Sequence, residues 1–234
     1  MHTYVRIHQP PPNMDTSPIY FWRETGPEGY LSQWWASDPS TSSSSPPVTF
    51  KTAEHYMMHG KALLFGDADA ALVVLQADHP RKARALGRQV RGFDEALWAS
   101  HRERIVREGN LLKFRCAPEL RRKLLATGER ELVEASPLDR VWGIGFSPGE
   151  APTSDRRLWG LNLLGKALME VRAALREEQE RERQREDEKS RTRAERRRAQ
   201  VQDAAGQGEE RTVLSRRVGE GREEGGRLLG ACLG

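Results

Sequence analysis

Two cysteines, Cys116 and Cys232, are all that 234 residues contain. One falls among apolar residues and the other close to the end, so no disulfide framework can be the source of stability, and a reducing compartment fits better. Long hydrophobic runs are also missing. No stretch approaches the roughly 18 apolar residues of a membrane-spanning helix, and the opening MHTYVRIHQPPPNMDTSP has no apolar segment suited to a secretory signal. These absences predict a soluble protein without a membrane partner, cytoplasmic, with a nuclear location as the secondary alternative. Aromatic residues lie before residue 160, and beyond about residue 176 the chain is dominated by Arg, Glu, Gln, Gly and Ala. A core must therefore come from residues 20–176. Charge of one sign is lacking too: 38 basic and 34 acidic residues leave a net charge of +4, which permits nucleic-acid binding without arguing for it.

Cofactor signatures are equally scarce. His55 and His59 have the i,i+4 spacing of metal ligands, but a zinc hydrolase helix needs Glu directly after the first His, whereas Tyr56 follows and Glu54 precedes. There is no CxxC pair and no identifiable third ligand. Neither GxxxxGKS/T nor a strand followed by GxGxxG occurs, and GEGREEGG near the end has no strand before it. The expectation is therefore no metal and no cofactor.

The chain divides into a leader over residues 1–17, a folded domain over 18–176 and a charged, Gly-rich tail over 177–234. IYFWRET (19–25) reads as a strand ending at the turn GPEG, and YLSQWWA (30–36) as a second aromatic segment. SDPSTSSSSPP (37–47) reads as a surface loop. Helical periodicity follows over 50–65, 67–77, 79–90 and 93–116, then in APELRRKLLATG, which ends at a glycine suited to a C-terminal cap. ELVEAS reads as a short buried strand or turn, PLDRVWGIGF as a Gly-interrupted loop, and WGLNLLGKALMEVRAALREE as the last apolar helix. The tail's interleaved charges suit a solvated helix that gives way to disorder. Its stretch RTRAERRRAQ could meet RNA or DNA, but nearby acids and the lack of interleaved aromatics favour a solvated extension.

In FKTAEHYMMHGKALLF (50–65) Thr52 is a ready N-cap, and Glu54 and Lys61 lie two turns apart with Met57 and Met58 between them. A carboxylate and an ammonium would thus project from one largely apolar face, either a core seam with a stray ion pair or the wall of a pocket. Trp98 and Asp139, the latter beside Arg140, Trp142 and Gly143, are further candidates. Singly, each has an ordinary structural explanation: core packing for Trp98, a turn or cap for Asp139, a solvated charge for Lys61.

The segments LSQWW, TAEHYMMHGKALLF, LGRQVRGFDEALW, IVREGNLLKF, LLATGERELVEASPLDRVWGIG and WGLNLLGKALMEVR resemble, in this order, the NADAR (YbiA-like) family over about residues 20–175. The Ser/Pro-rich loop departs from the family pattern, in which a short strand ends nearer the EHY helix. The resemblance implies a mainly α orthogonal helical bundle with a small N-terminal β element. It also implies an N-glycosidase that splits ribose, as its phosphate or as ADP-ribose, from a base. Substrates would be riboflavin-pathway intermediates or ADP-ribosylated guanine in nucleic acid. Carried over by motif, Glu54, Trp98 and Asp139 are the expected catalytic residues, with Glu54 as base or ion stabiliser and Asp139 as general acid. Lys61, Arg140, Trp142 and Asn162 are expected to bind substrate. The residue types suit the chemistry, because breaking a ribosyl C1′–N bond develops positive charge on the sugar and needs a proton on the leaving nitrogen. The competing expectation is a module that binds ADP-ribose or a nucleotide without cleaving it.

Overall fold

Capping side chains set where the helices begin in the computed structural model, which describes residues 15–40 and 47–225. Most of the leader, the middle of the Ser/Pro-rich loop and Cys232 lie outside the described residues. Helix α1 (Ala53–Leu64) starts at Thr52, whose hydroxyl accepts from His55 N. Helix α2 (Ala68–Gln76) starts at Asp67, α3 (Pro80–Gly87) at His79 with Pro in the first turn, and α4 (Glu95–Cys116) at Asp94. Each of these side chains accepts a backbone N–H that has no partner within the helix. Helix α5 (Pro118–Ala126) is followed by Gly128 at φ +60°, a left-handed position that glycine occupies without strain.

Strand β1 (Ile19–Phe21) is shorter than the 19–25 segment that reads as a strand, and residues 22–25 turn away from it. Its partner is β2 (Leu132–Glu134), parallel, with Ile19 opposite Leu132 and Phe21 opposite Glu134. A parallel pair needs a long crossover, and here that crossover holds five helices. The YLSQWWA segment opens with a single 3-10 turn, Gly29–Leu31, rather than a strand. The Ser/Pro-rich loop is pinned at its base by an antiparallel bridge between Ser40 and Thr49.

Helix α1 is central and packs on α2, α3 and α4. Close approach depends on small residues: a Cβ at Gly87 would meet Met58 Sδ at 2.1 Å, and one at Gly60 would meet Ile105 Cγ2 at 2.9 Å. The last helix, α6 (Leu163–Gly225), buries Leu164, Ala167, Leu168, Val171 and Leu175, a stripe at helical spacing against the main core. The buried Arg172 is satisfied by Thr127 Oγ1 at 2.7 Å and Arg130 O at 2.8 Å. A first compact unit runs to Glu178 and a second begins at Gln179. The second is helical through Gly225, beyond the point where Gly-rich composition suggests disorder, and local pairs such as Arg183 with Glu180 at 3.1 Å accompany it.

Candidate active site

The first turn of α1 carries Glu54 into the interior, where it is 6% exposed, and its backbone N–H donates to Gln33 O at 3.0 Å. One and two turns further, Met57, Met58 and Lys61 continue the same face, as the helical spacing requires. Together they line a cavity of about 690 Å³ whose other walls include Trp98, Glu134, Asp139 and Trp142. That volume suits a nucleotide-sized ligand. The expected Glu54, Lys61, Trp98, Asp139 and Trp142 are therefore brought together.

Arg140 and Asn162 are not. The Arg140 guanidinium donates to Leu158 O at 2.7 Å and does not line the cavity. Asn162 is buried at φ +51°, with Oδ1 accepting from Glu134 N at 3.0 Å and Nδ2 donating to Leu132 O at 2.9 Å. Both bind backbone of the site's scaffold, and neither presents a group to the cavity.

Asp139 sits in a tight turn after β2. Its Oδ1 accepts from Val141 N at 2.9 Å and Trp142 N at 2.8 Å, and its Oδ2 lies 3.8 Å from Arg84 Nη2. The turn is held by Ile144 N donating to Glu134 O at 3.0 Å and Gly145 N donating to Ser136 O at 3.0 Å. Gly143 is required there, since a Cβ would meet Glu134 O at 2.6 Å.

Three groups that sequence reasoning passed over share the cavity. Glu134 is the first. Residues i and i+2 of a strand share a face, so Glu134 follows Leu132 towards the main core while Val133 enters a second apolar cluster. The alternation in ELVE contains this signal, which goes unnoticed when the segment is read only as strand or turn. The second is an arginine row: Arg81 and Arg84 of α3 and Arg88, which follows its last residue in helical conformation, line the cavity at helical spacing. The third is Trp34, whose indole faces Glu54.

Trp34 belongs to a segment anchored by α4. The fully buried Lys113 Nζ donates to Ser32 O at 2.8 Å, and Asn110 Nδ2 donates to Gln33 Oε1 at 2.8 Å. The GNLLKF motif thus positions the cavity wall from behind. Burial without a carboxylate partner pushes the Lys113 ammonium down to about 7.

Burial also governs the acids. It pushes the Glu54 carboxyl up to about 7, against the opposing pull of Arg84 and of a hydrogen bond from Trp34, with the Asp139 charge adding to the rise. Glu134 is pushed up to about 8, first by burial and then by the charges of Asp139 and Glu54, with Arg84 opposing. Lys61 is pulled down, chiefly by burial; its ammonium lies 4.0 Å from the Phe93 ring centre and 5.5 Å from that of Trp98.

The helix histidines are engaged elsewhere. His55 Nδ1 pairs with Thr52 Oγ1 at 2.8 Å and Nε2 with Ala77 O at 3.1 Å, and His59 packs edge-on against Phe50. Among the described residues no group of three His, Cys, Asp or Glu side chains is disposed to hold a metal ion.

Residues 20–176 match the family model for the NADAR domain. The chain is similar to the N-glycosidase R617 of Acanthamoeba polyphaga mimivirus, 45% identical over 124 residues that span 53% of this chain and 73% of that protein. It is 31% identical over 165 residues to the riboflavin biosynthesis protein VVA0006 of Vibrio vulnificus, covering 70% of this chain and 40% of that one. The N-glycosidase YbiA of Escherichia coli is 33% identical over 131 residues, 56% of this chain and 74% of YbiA. Its NMR structure superposes with a TM-score of 0.57 at 28% identity, over 71% of this chain and 89% of that structure.

Proposed function

The chain belongs to the NADAR domain family, and we propose that it is an N-glycosidase that hydrolyses the bond between a phosphorylated ribose and a base. The observation that carries this reading is the convergence of Glu54, Glu134 and Asp139 beside Trp98 in one cavity edged by arginines. Cleavage of a C1′–N bond builds positive charge on the sugar, and Glu54, as the carboxylate, stabilises that charge and takes the proton of the attacking water. The flat indole of Trp98, flanked by Met57 and Met58, receives the base by stacking, a contact worth about 1–3 kcal/mol.

Asp139 takes a different role from the proton donor expected of it. Two backbone N–H groups already donate to Oδ1 and Arg84 faces Oδ2, an arrangement that suits a fixed acceptor for sugar hydroxyls. Phosphate recognition passes from Arg140 to Arg81, Arg84 and Arg88, whose forked donors edge the cavity. Lys61 and Trp142 also line the cavity.

The substrate is a ribosyl-base phosphate, either a free aminopyrimidine intermediate or an ADP-ribosyl group on guanine in nucleic acid. Among the described residues no helix is long and apolar enough to cross a membrane. The free thiol of Cys116 fits work in the cytoplasm or nucleus. Incubation with ribosylaminopyrimidine 5-phosphate and with ADP-ribosylated guanosine, followed by chromatography of the free base, tests the reading. Release of base from one of them is expected. Saturable binding of both with no base released between about pH 5 and pH 8, where domains tend to be most stable, overturns it in favour of a binding module.

A further inference from the structure

We propose that Glu134 is the general acid, the residue that delivers a proton to the leaving nitrogen as the C1′–N bond breaks. The inference rests on the N-glycosidase reading and adds a catalytic residue to it.

Three structural observations converge. First, the Glu134 carboxyl lines the cavity, and its Oε2 is buried with no hydrogen-bond partner. A buried polar atom without a partner is costly, and considerably more so when charged, so the protonated carboxyl is the form this place tolerates. Second, the backbone at this residue is fixed from three sides. Glu134 N donates to Asn162 Oδ1, Glu134 O accepts from Ile144 N, and the next N–H, of Ala135, donates to Phe21 O at 2.7 Å. The chain is thus held so that an unsatisfied acid faces the cavity, although an apolar side chain there would extend the core shared with Leu132. Third, the neighbouring acids have other partners: Asp139 is wrapped by donors, and Glu54 has Trp34 and the opposing Arg84.

The charged groups that share the cavity with Glu134 are Glu54 and Lys61 from α1, Arg81 and Arg84 from α3 with Arg88 just after it, Asp139 from the following turn, and Arg23 and Glu24 after β1. The acids among them oppose a second negative charge, and Arg84 opposes that effect without overcoming burial. A carboxyl turns readily about its last torsion, so either oxygen can present the proton.

The step balances as a hydrolysis. The C1′–N bond breaks with its electron pair going to nitrogen, and the Glu134 proton goes to that nitrogen. Water adds its oxygen to C1′ and yields its proton to the Glu54 carboxylate. Glu134 ends as the carboxylate and Glu54 as the acid, and exchange with solvent restores both.

The test uses the full chain, with Glu134→Gln and Glu134→Asp compared with wild type on the substrate that releases base most rapidly. Wild type should show a bell-shaped rate profile whose alkaline limb reports loss of the Glu134 proton. In Glu134→Gln, kcat should fall by about 10²- to 10⁴-fold with KM nearly unchanged, and the alkaline limb should vanish. Glu134→Asp should recover part of the rate and restore the limb. A kcat within threefold of wild type (roughly 0.7 kcal/mol), or an alkaline limb that persists in Glu134→Gln, overturns the assignment. Infrared difference spectra of the wild-type protein give a readout independent of turnover and of variant folding. Two protonated-carboxyl components should titrate in wild type, and the one that persists to higher pH should be lost in Glu134→Gln while the Glu54 component remains; a wild-type component at higher pH that survives in Glu134→Gln, or none at all, overturns the assignment too. If wild type releases no base from any ribosyl substrate, the N-glycosidase reading itself fails, an outcome distinct from an unimpaired Glu134→Gln.

Discussion

The acidic and basic walls of the cavity differ in more than sign. Glu54 and Glu134 come from elements whose other side chains form the core, and burial holds both carboxyls far above the ordinary carboxylate range. Arg81 and Arg84 on α3, and Arg88 just after it, are exposed to water. The contrast separates two tasks. Protons can be taken and released on the acidic wall near neutral pH, whereas the basic wall holds a constant charge for an anionic substrate. The glutamates beyond residue 178 show what the same residue type does without burial: Glu180 is solvated and paired locally with Arg183.

Substitutions on each wall can break or sharpen this contrast. The largest effect is expected from Glu54→Gln, which removes the negative charge facing the developing sugar cation. Turnover should fall by about 10³-fold or more while the circular dichroism spectrum is retained. Activity within tenfold of wild type (roughly 1.4 kcal/mol) would reject Glu54 as the stabilising carboxylate.

Arg84→Gln strikes the basic side chain that acts on both glutamates. Arg84 pulls both glutamates down, so its removal should raise them further, and the acid limb of kcat/KM should move to higher pH. At neutral pH a loss of about 10²-fold is expected, combining a weaker phosphate contact with a less ionised Glu54. An unmoved acid limb would show that Arg84 does not act on Glu54.

Arg81→Ala and Arg88→Ala should act chiefly on binding, Arg88 exerting a weaker pull on Glu54 than Arg84 does. Each is expected to raise KM about tenfold for a phosphorylated substrate, leave kcat nearly intact and flatten the dependence on salt. A fall in kcat without a change in KM would place these arginines in the chemistry instead.

The smallest effect concerns stability. Because Glu54 is raised in the folded state, folding retains a proton that the unfolded chain releases from the ordinary carboxylate range upward. Its contribution is full below that range and is lost as pH rises through about 7. Glu54→Gln should therefore gain stability relative to wild type between acidic pH and pH about 8, by several degrees in Tm. Parallel melting curves across pH would contradict the burial-driven shift.

Much of the site was legible from local pattern. Thr52 announces α1, and the two-turn spacing of Glu54 and Lys61 puts them on one face before any tertiary contact is considered. Arg140 and Asn162 stay outside the cavity for a physical reason. Proximity in sequence to Asp139 does not say which way a guanidinium points, and a polar side chain at a positive-φ position is as useful for holding backbone as for binding substrate. Glu134 escaped notice because a charged residue ending a short strand ordinarily points to solvent.

By itself the sequence determined where helices start, which segment can form a core and which residues share the α1 face, because capping and periodicity act over a few residues. Only the tertiary structure decided that a strand near residue 20 pairs with one near residue 132, that α3 turns its arginines to the same cavity, and that Glu134 is enclosed there. Burial and through-space charge set the proton affinities, and both depend on neighbours that are distant along the chain.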